Sequence, residues 1–389
     1  MQLPSCPDVH LTYCLNIHPG ERLDDVLAAL RGPASAVAQR VAGGKPFGVG
    51  LRLGALAVQA LESPARRAEL KAALAEQNLY AFTINGFPYG SFHGEKVKAA
   101  VYQPDWRTTQ RLDYTKALAD LLADLLPAGL TGSISTVPGS YRAWLKTDGD
   151  TGAICNRLLD AVQHLHGLRL RTGKVIQLAL EPEPACMLET TGESIGFFHQ
   201  RLLPAAAARG IAESVVLRHL GICLDTCHAA LAYEDAAASL RQLAAAGIAV
   251  PKVQLSAALR TEQPALARDV LAPYGEPVYL HQVNARTADG GRAAWVDLPN
   301  ALNDARWNTL AEARVHFHVP LFWTGAGLLR STTDTLGADF FALLKGGASP
   351  HLEVETYTFS VLPWAMRGGD VVDCIVRELE WAQARLGAV

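Results

Sequence analysis

Short apolar runs alternate with longer amphipathic stretches along almost the whole chain. The runs are rich in Val, Ile, Leu, Phe and Tyr, and they predict buried strands at 9–17, 47–54, 80–87, 131–137, 174–181, 221–226, 251–256 and 315–319. A ninth candidate runs from 351 to 357. Between them lie Ala/Leu-rich segments at helical spacing. Residues 63–79 begin with Ser before Pro, a good helix start. The stretches 113–127 and 152–173 read as helices, and 21–41 reads as a helix with a Gly-Pro interruption. Strict strand–helix alternation predicts a parallel sheet covered by helices. Eight or nine such units in 389 residues favour a closed (β/α)8 barrel over an open doubly wound sheet. The surplus strand is expected near the N-terminus. No GxGxxG or GxxxxGK[ST] follows a strand, which counts against dinucleotide and P-loop folds.

One segment breaks the rhythm. Residues 260–313 contain YLHQV (279–283), an Asp289-Gly290-Gly291 turn and AAWVDL (293–298). They predict a hairpin-like insertion, placed before the seventh strand, inside a single domain spanning 1–389. The Gly/Pro/aromatic loop at 87–106 is a second long excursion. In an α/β barrel such loops shape the mouth where strands end.

Composition narrows the function classes. Hydrophobic residues make up 49%, charged residues 19%, and the net charge is −3, so no electrostatic pull toward nucleic acid is expected. No apolar run approaches the roughly 18 residues of a membrane span. The N-terminal residues lack the pattern of a signal peptide. Seven cysteines, an odd number without a CxxC pair, suit free thiols in a reducing compartment. A cytoplasmic protein with a small-molecule partner is the expectation.

The chemistry lies where the late strands end. LALEPEP ends on Glu181, and ICLDTCH carries Asp225 and His228. KVQLSA carries Gln254, VHFHV carries His316 and His318, and LEVETY carries Glu353 and Glu355. Each has an ordinary reading: Asp225 as a helix N-cap, the histidines as satisfied core residues. Repetition favours a shared site, because four separate strand ends carry ligand-type residues in the same relative place. Clustered carboxylates repel one another, and a divalent cation relieves that cost. The mixture of carboxylate and imidazole suits Zn²⁺, Mn²⁺ or Fe²⁺, while the carboxylates alone suit Mg²⁺. Asn16, His18, Asn85 and His93 follow early strands and are candidate substrate contacts, as is His281 in the insertion.

These residues resemble a family. Glu after the fifth strand, D-T-x-H after the sixth, H-x-H and a final E-T look like the xylose isomerase-like TIM barrels. That superfamily includes sugar-phosphate isomerases and epimerases and the endonuclease IV group. HLTYCLNIHPGE, NGFPYGSFHGEKVKAAVYQPDW, LEPEP and YLHQV are similar to the EboE-type proteins of metabolite traffic. The resemblance implies metal ligation by Glu181, Asp225 and Glu355, with Gln254 where a His usually sits. It implies a further metal at His228, His316 and His318. It also implies a metal-dependent isomerase or epimerase acting on a small polyol or sugar-like metabolite, with Glu181 and Glu355 exchanging the proton. Partner proteins of the same secondary-metabolite pathway would follow. A metal-dependent phosphoester hydrolase and a non-catalytic metabolite carrier are the competing readings.

Overall fold

The computed structural model describes residues 1–3, 6–93 and 97–387. The loop at 87–106 is therefore described except for 94–96, which lie outside the described residues.

Eight parallel strands form the barrel: Cys6–Tyr13, Phe47–Arg52, Leu79–Asn85, Gly132–Thr136, Ile176–Leu180, Leu220–Asp225, Lys252–Leu255 and His351–Val354. They are numbered first to eighth below. The short strand Gln2–Leu3 pairs antiparallel with the first. The eighth strand pairs with both the first and the seventh. The seam between first and second is closed by a parallel bridge, Cys14 to Gly50, and by the Thr12 hydroxyl donating to the Gly48 carbonyl at 2.7 Å.

The barrel interior explains two sequence features. Lys252 and Glu353 form an ion pair at 2.5 Å, both side chains fully buried. Gly50 makes room for it: a Cβ there would stand 1.8 Å from Glu353 Oε1. The interrupted helix at 21–41 is continuous. Leu23–Ala29 and Ser35–Val41 are joined by a π-type turn, Leu30–Ala34, that carries Pro33. The widened turn accommodates the missing N–H of the proline.

The insertion requires a correction. The run 315–319 is not a barrel strand. It belongs to Leu310–His318, in a second sheet of six antiparallel strands. The order of that sheet is Arg292–Trp295, Val283–Thr287, Leu310–His318, Ala258–Thr261, Leu329–Ser331 and Gly325–Ala326. It follows the seventh barrel strand and precedes the eighth, rather than lying before the seventh. All candidate strands near the N-terminus belong to the barrel, so none there is surplus. The reason is local ambiguity. Residues 313–318 are buried on both faces, as a barrel strand would be, and a pattern of apolar positions does not reveal the direction of a strand's neighbours. The hairpin around Asp289–Gly291 is present, with its first strand at Val283–Thr287 rather than 279–283.

Candidate functional site

The parallel register carries the late strand ends to one rim. Glu181 follows the fifth strand, and its N–H donates to Thr136 O at 3.0 Å. Asp225 closes the sixth strand, in register with Gln254. Glu355 follows the eighth, with its N–H on Leu255 O at 3.1 Å. Glu181, Asp225 and Glu355 each offer a carboxylate oxygen, and these oxygens lie within 4.8 Å of one another.

Both readings of Asp225 are realised, one per oxygen. Oδ1 caps the helix Thr226–Leu231, accepting from His228 N at 2.9 Å and from the Ser256 hydroxyl at 2.8 Å. Oδ2 is buried and has no partner among the described residues. Glu181 Oε2 is in the same condition. Glu355 Oε1 accepts from the amides of Asn16 at 2.7 Å and Asn85 at 2.9 Å, which fixes its rotamer. Burial, with neighbouring carboxylates adding to it, pushes Glu181 and Glu355 well above the usual carboxylate range. A cation at this point would remove that cost.

Beside the carboxylates stand three imidazoles, and their hydrogen bonds set their tautomers. His228 Nδ1 meets Pro182 O at 3.0 Å, His316 Nδ1 meets Gln282 Oε1 at 2.7 Å, and His318 Nδ1 meets Glu355 O at 2.7 Å. Each acceptor is a carbonyl-type oxygen, so each Nδ1 carries the proton and each Nε2 presents a lone pair. His228 Nε2 and His316 Nε2 face each other at 3.1 Å, and His318 Nε2 has no partner among the described residues. Burial lowers His316 well below its ordinary value and takes His318 to about 4. Two facing lone pairs and a third close by repel unless a cation or a proton lies between them. Outer hydrogen bonds that lock Nδ1–H are also how metal-ligating histidines are oriented. The donor set therefore fits divalent metal.

The remaining sequence candidates separate cleanly. Asn16 and Asn85 line the cavity above the carboxylates; His18, His93 and His281 do not. His18 Nε2 meets Tyr13 OH at 2.9 Å. His93 bridges Asn16 O at 2.6 Å and Tyr279 OH at 2.9 Å. His281 spends both nitrogens, on His316 O at 2.9 Å and Glu276 Oε1 at 2.8 Å. Gln254 is buried beside the cluster, but its Oε1 accepts from Cys223 Sγ at 3.1 Å while its Nε2 has no partner among the described residues. Cys227 Sγ lies within 4.8 Å of donor atoms of His316 and His318, yet burial and nearby carboxylates hold the thiol protonated.

Three groups were not assigned to the site from the sequence. Glu183, two residues beyond Glu181, groups with His228 and His316. Its Oε1 accepts from Tyr102 OH at 2.6 Å and its Oε2 has no partner among the described residues. Its signal was present in the E-P-E repeat. Gln282 joins Tyr102, Glu183 and His316, and nothing local marks it. An aromatic wall of Phe92, Tyr279 and Tyr357 lines one side of the cavity.

Comparison with known proteins adds the following. No family model matches the chain, and no curated protein matches it. The solved structures it is similar to include xylose isomerase-like barrels. One is a xylose isomerase domain protein from Alicyclobacillus acidocaldarius, with 14% identity, a TM-score of 0.48, and 97% of this chain and 99% of that one covered. An L-ribulose 3-epimerase has 12% identity and a TM-score of 0.49, covering 97% and 94%. A zinc-bound structure of the IolI protein also has 12% identity and a TM-score of 0.49, covering 97% and 98%. At such identities the likeness concerns the path of the backbone and not the chemistry. No helix among the described residues is long and apolar enough to cross a membrane.

Proposed function

We propose that this protein is a divalent-metal enzyme of isomerase or epimerase type, acting on a small hydroxy-carbonyl or polyol metabolite at the C-terminal mouth of the barrel. One observation carries the reading. Glu181 Oε2, Asp225 Oδ2 and His318 Nε2 are buried without partners among the described residues, in a site whose imidazoles all turn a lone pair inward. Unpartnered buried acceptors are costly, and a shared cation is the economical reason to keep several together.

Glu181, Asp225 and Glu355 would hold the ion, and a second would lie among His228, His316 and His318, where Glu183 joins His228 and His316 and Asp225 joins His228 and His318. When bound, a divalent ion polarises a carbonyl and its neighbouring hydroxyl, acidifying the adjacent C–H. The chain's own part is positional. Asn16 and Asn85 fix Glu355, while Glu181 keeps one oxygen free. Those two carboxylates are the groups we assign to take and return the proton, which requires one of them within hydrogen-bond reach of the reacting carbon. The EboE-type resemblance would place the reaction in a secondary-metabolite pathway.

The adjacent histidine cluster favours a second reading, phosphoester hydrolysis with both clusters loaded. Metal analysis of untagged protein, beside an Asp225→Ala/His228→Ala variant, tests the common ground. Near-stoichiometric metal that the variant lacks is expected. Absence of metal, with none taken up from added Mn²⁺ or Zn²⁺, sinks both readings. Solvent deuterium uptake at the α-carbon of hydroxyketones then favours the isomerase, and cleavage of a nitrophenyl phosphodiester favours the hydrolase.

A further inference from the structure

The cavity has two unlike walls. Its floor gathers Asn16, Asn85, Glu181, Glu183, His228 and Glu355. Its roof is Phe92, Tyr279 and Tyr357, from three separate segments of the chain, with ring centroids 5.0 to 5.3 Å apart. These three form an apolar cluster separate from the barrel core. Phe87, Val97, Val101 and Leu280 extend the apolar side. Two hydroxyls and an ammonium on that side have partners within the protein. Tyr279 OH meets His93 at 2.9 Å, and Tyr102 OH donates to Glu183 at 2.6 Å. The Lys98 ammonium is held by Asp297 at 2.6 Å and by Glu276 O at 3.3 Å.

We infer that the substrate is amphiphilic: an α-hydroxy-carbonyl or vicinal diol at one end, joined to a hydrocarbon body such as an aryl or alicyclic group. This rests on the metalloenzyme reading above and narrows its substrate class. The vicinal oxygens meet the floor, where the convergent acceptors and amides lie. The body meets the roof. A free sugar bound the same way would turn its far hydroxyls toward aromatic rings and lose water without replacement, which is unfavourable for each hydroxyl. A phosphate would have to break the Lys98–Asp297 pair to gain a cation among the described lining residues. A ring of carbon gains instead from leaving water and from edge and face contacts with the three rings. Apolar enclosure with a few polar groups converging at one end is the usual form of a small-molecule site.

The test is a binding comparison on Mn²⁺-loaded protein by ligand-observed NMR, using 2-hydroxyacetophenone, D-ribulose and D-ribulose 5-phosphate. All three carry an α-hydroxyketone. The aryl ketone is expected to bind at least about tenfold tighter than either sugar. Phe92→Ala should weaken the aryl ketone several-fold and leave D-ribulose nearly unchanged, with metal content intact. Equal or reversed preference overturns the inference, as does failure of the metal-loaded protein to bind the aryl ketone. Those results leave the metalloenzyme reading standing. Protein that takes up no metal defeats that reading instead, so the two failures are told apart.

Discussion

Single atoms decide what the site can hold. Asp225 shows how one side chain serves two ends: one oxygen caps a helix while the other is reserved. Gln282 shows the reach of an outer contact. Its amide oxygen holds His316 Nδ1–H, and its nitrogen meets Tyr102 and Glu183. Gln282→Leu should leave the barrel folded and weaken metal at the histidine cluster by about 10- to 100-fold, because the imidazole is then free to turn or change tautomer. Competition of Zn²⁺ between protein and a chelator dye measures this. An unchanged second-site affinity would show that the Gln282 contact is incidental. At this scale the sequence was informative for Glu181, Asp225, His228, His316, His318 and Glu355, because ligand-type residues interrupt apolar strands. It was silent about Gln282, whose neighbours in sequence are ordinary.

Elements place those atoms. His316 and His318 share a face because strand side chains alternate, and their strand crosses the rim rather than lining the barrel. The C-terminal helix Val371–Leu386 secures the rim through Glu378. Its Oε1 accepts from Leu321 N at 3.0 Å, past the end of the histidine strand, and from Thr356 Oγ1 at 2.7 Å, one residue beyond Glu355. One carboxylate thus clamps the two segments that supply His318 and Glu355. Glu378→Ala strands a buried N–H and a buried hydroxyl and should cost about 1–3 kcal/mol in urea unfolding. Glu378→Gln keeps an acceptor and should cost less. Burial raises the Glu378 carboxyl to about 7. A raised carboxyl stabilises the fold below its unfolded pKa and loses that contribution as pH climbs through the folded value. The glutamine variant should therefore lose less stability than the parent between pH 6 and 8.

For the whole molecule, the barrel interior and its mouth are coupled through charge. Lys252 sits fully buried against Glu353, below the carboxylates of the site. Lys252→Met leaves an uncompensated carboxylate and should destabilise by about 3–5 kcal/mol, and Lys252→Met/Glu353→Leu should recover most of that loss. Chemical denaturation of the two variants checks it; equal instability of both would mean that packing, not charge, is at stake. The mouth has its own pH signature. Glu181 and Glu355 are raised in the fold, so without metal their stabilising contribution is lost as pH rises toward their folded values. His318 is lowered to about 4, so its contribution is lost as pH falls below the ordinary 6.5 toward that value. Where Glu181 and Glu355 titrate, above the usual carboxylate range, the metal-free melting temperature should decline as pH rises. Added Mn²⁺ or Zn²⁺ should flatten or reverse the decline, since binding displaces protons. Calorimetric scans with and without metal decide this.

Strand–helix alternation by itself determined the parallel barrel, because hydrophobic period and turn residues are local properties. Carboxylates and imidazoles at strand ends are likewise local, and they marked the rim before any contact was known. Tertiary structure alone decided three things. It turned 315–319 out of the barrel, because its partners Ala258–Thr261 and Val283–Thr287 run antiparallel to it and only chain reversal brings them together. It fixed which imidazole nitrogen faces inward, because the acceptors at Pro182, Gln282 and Glu355 are remote in sequence. It assembled the aromatic roof from segments at 92, 279 and 357, whose spacing in the chain carries no trace of their contact in space.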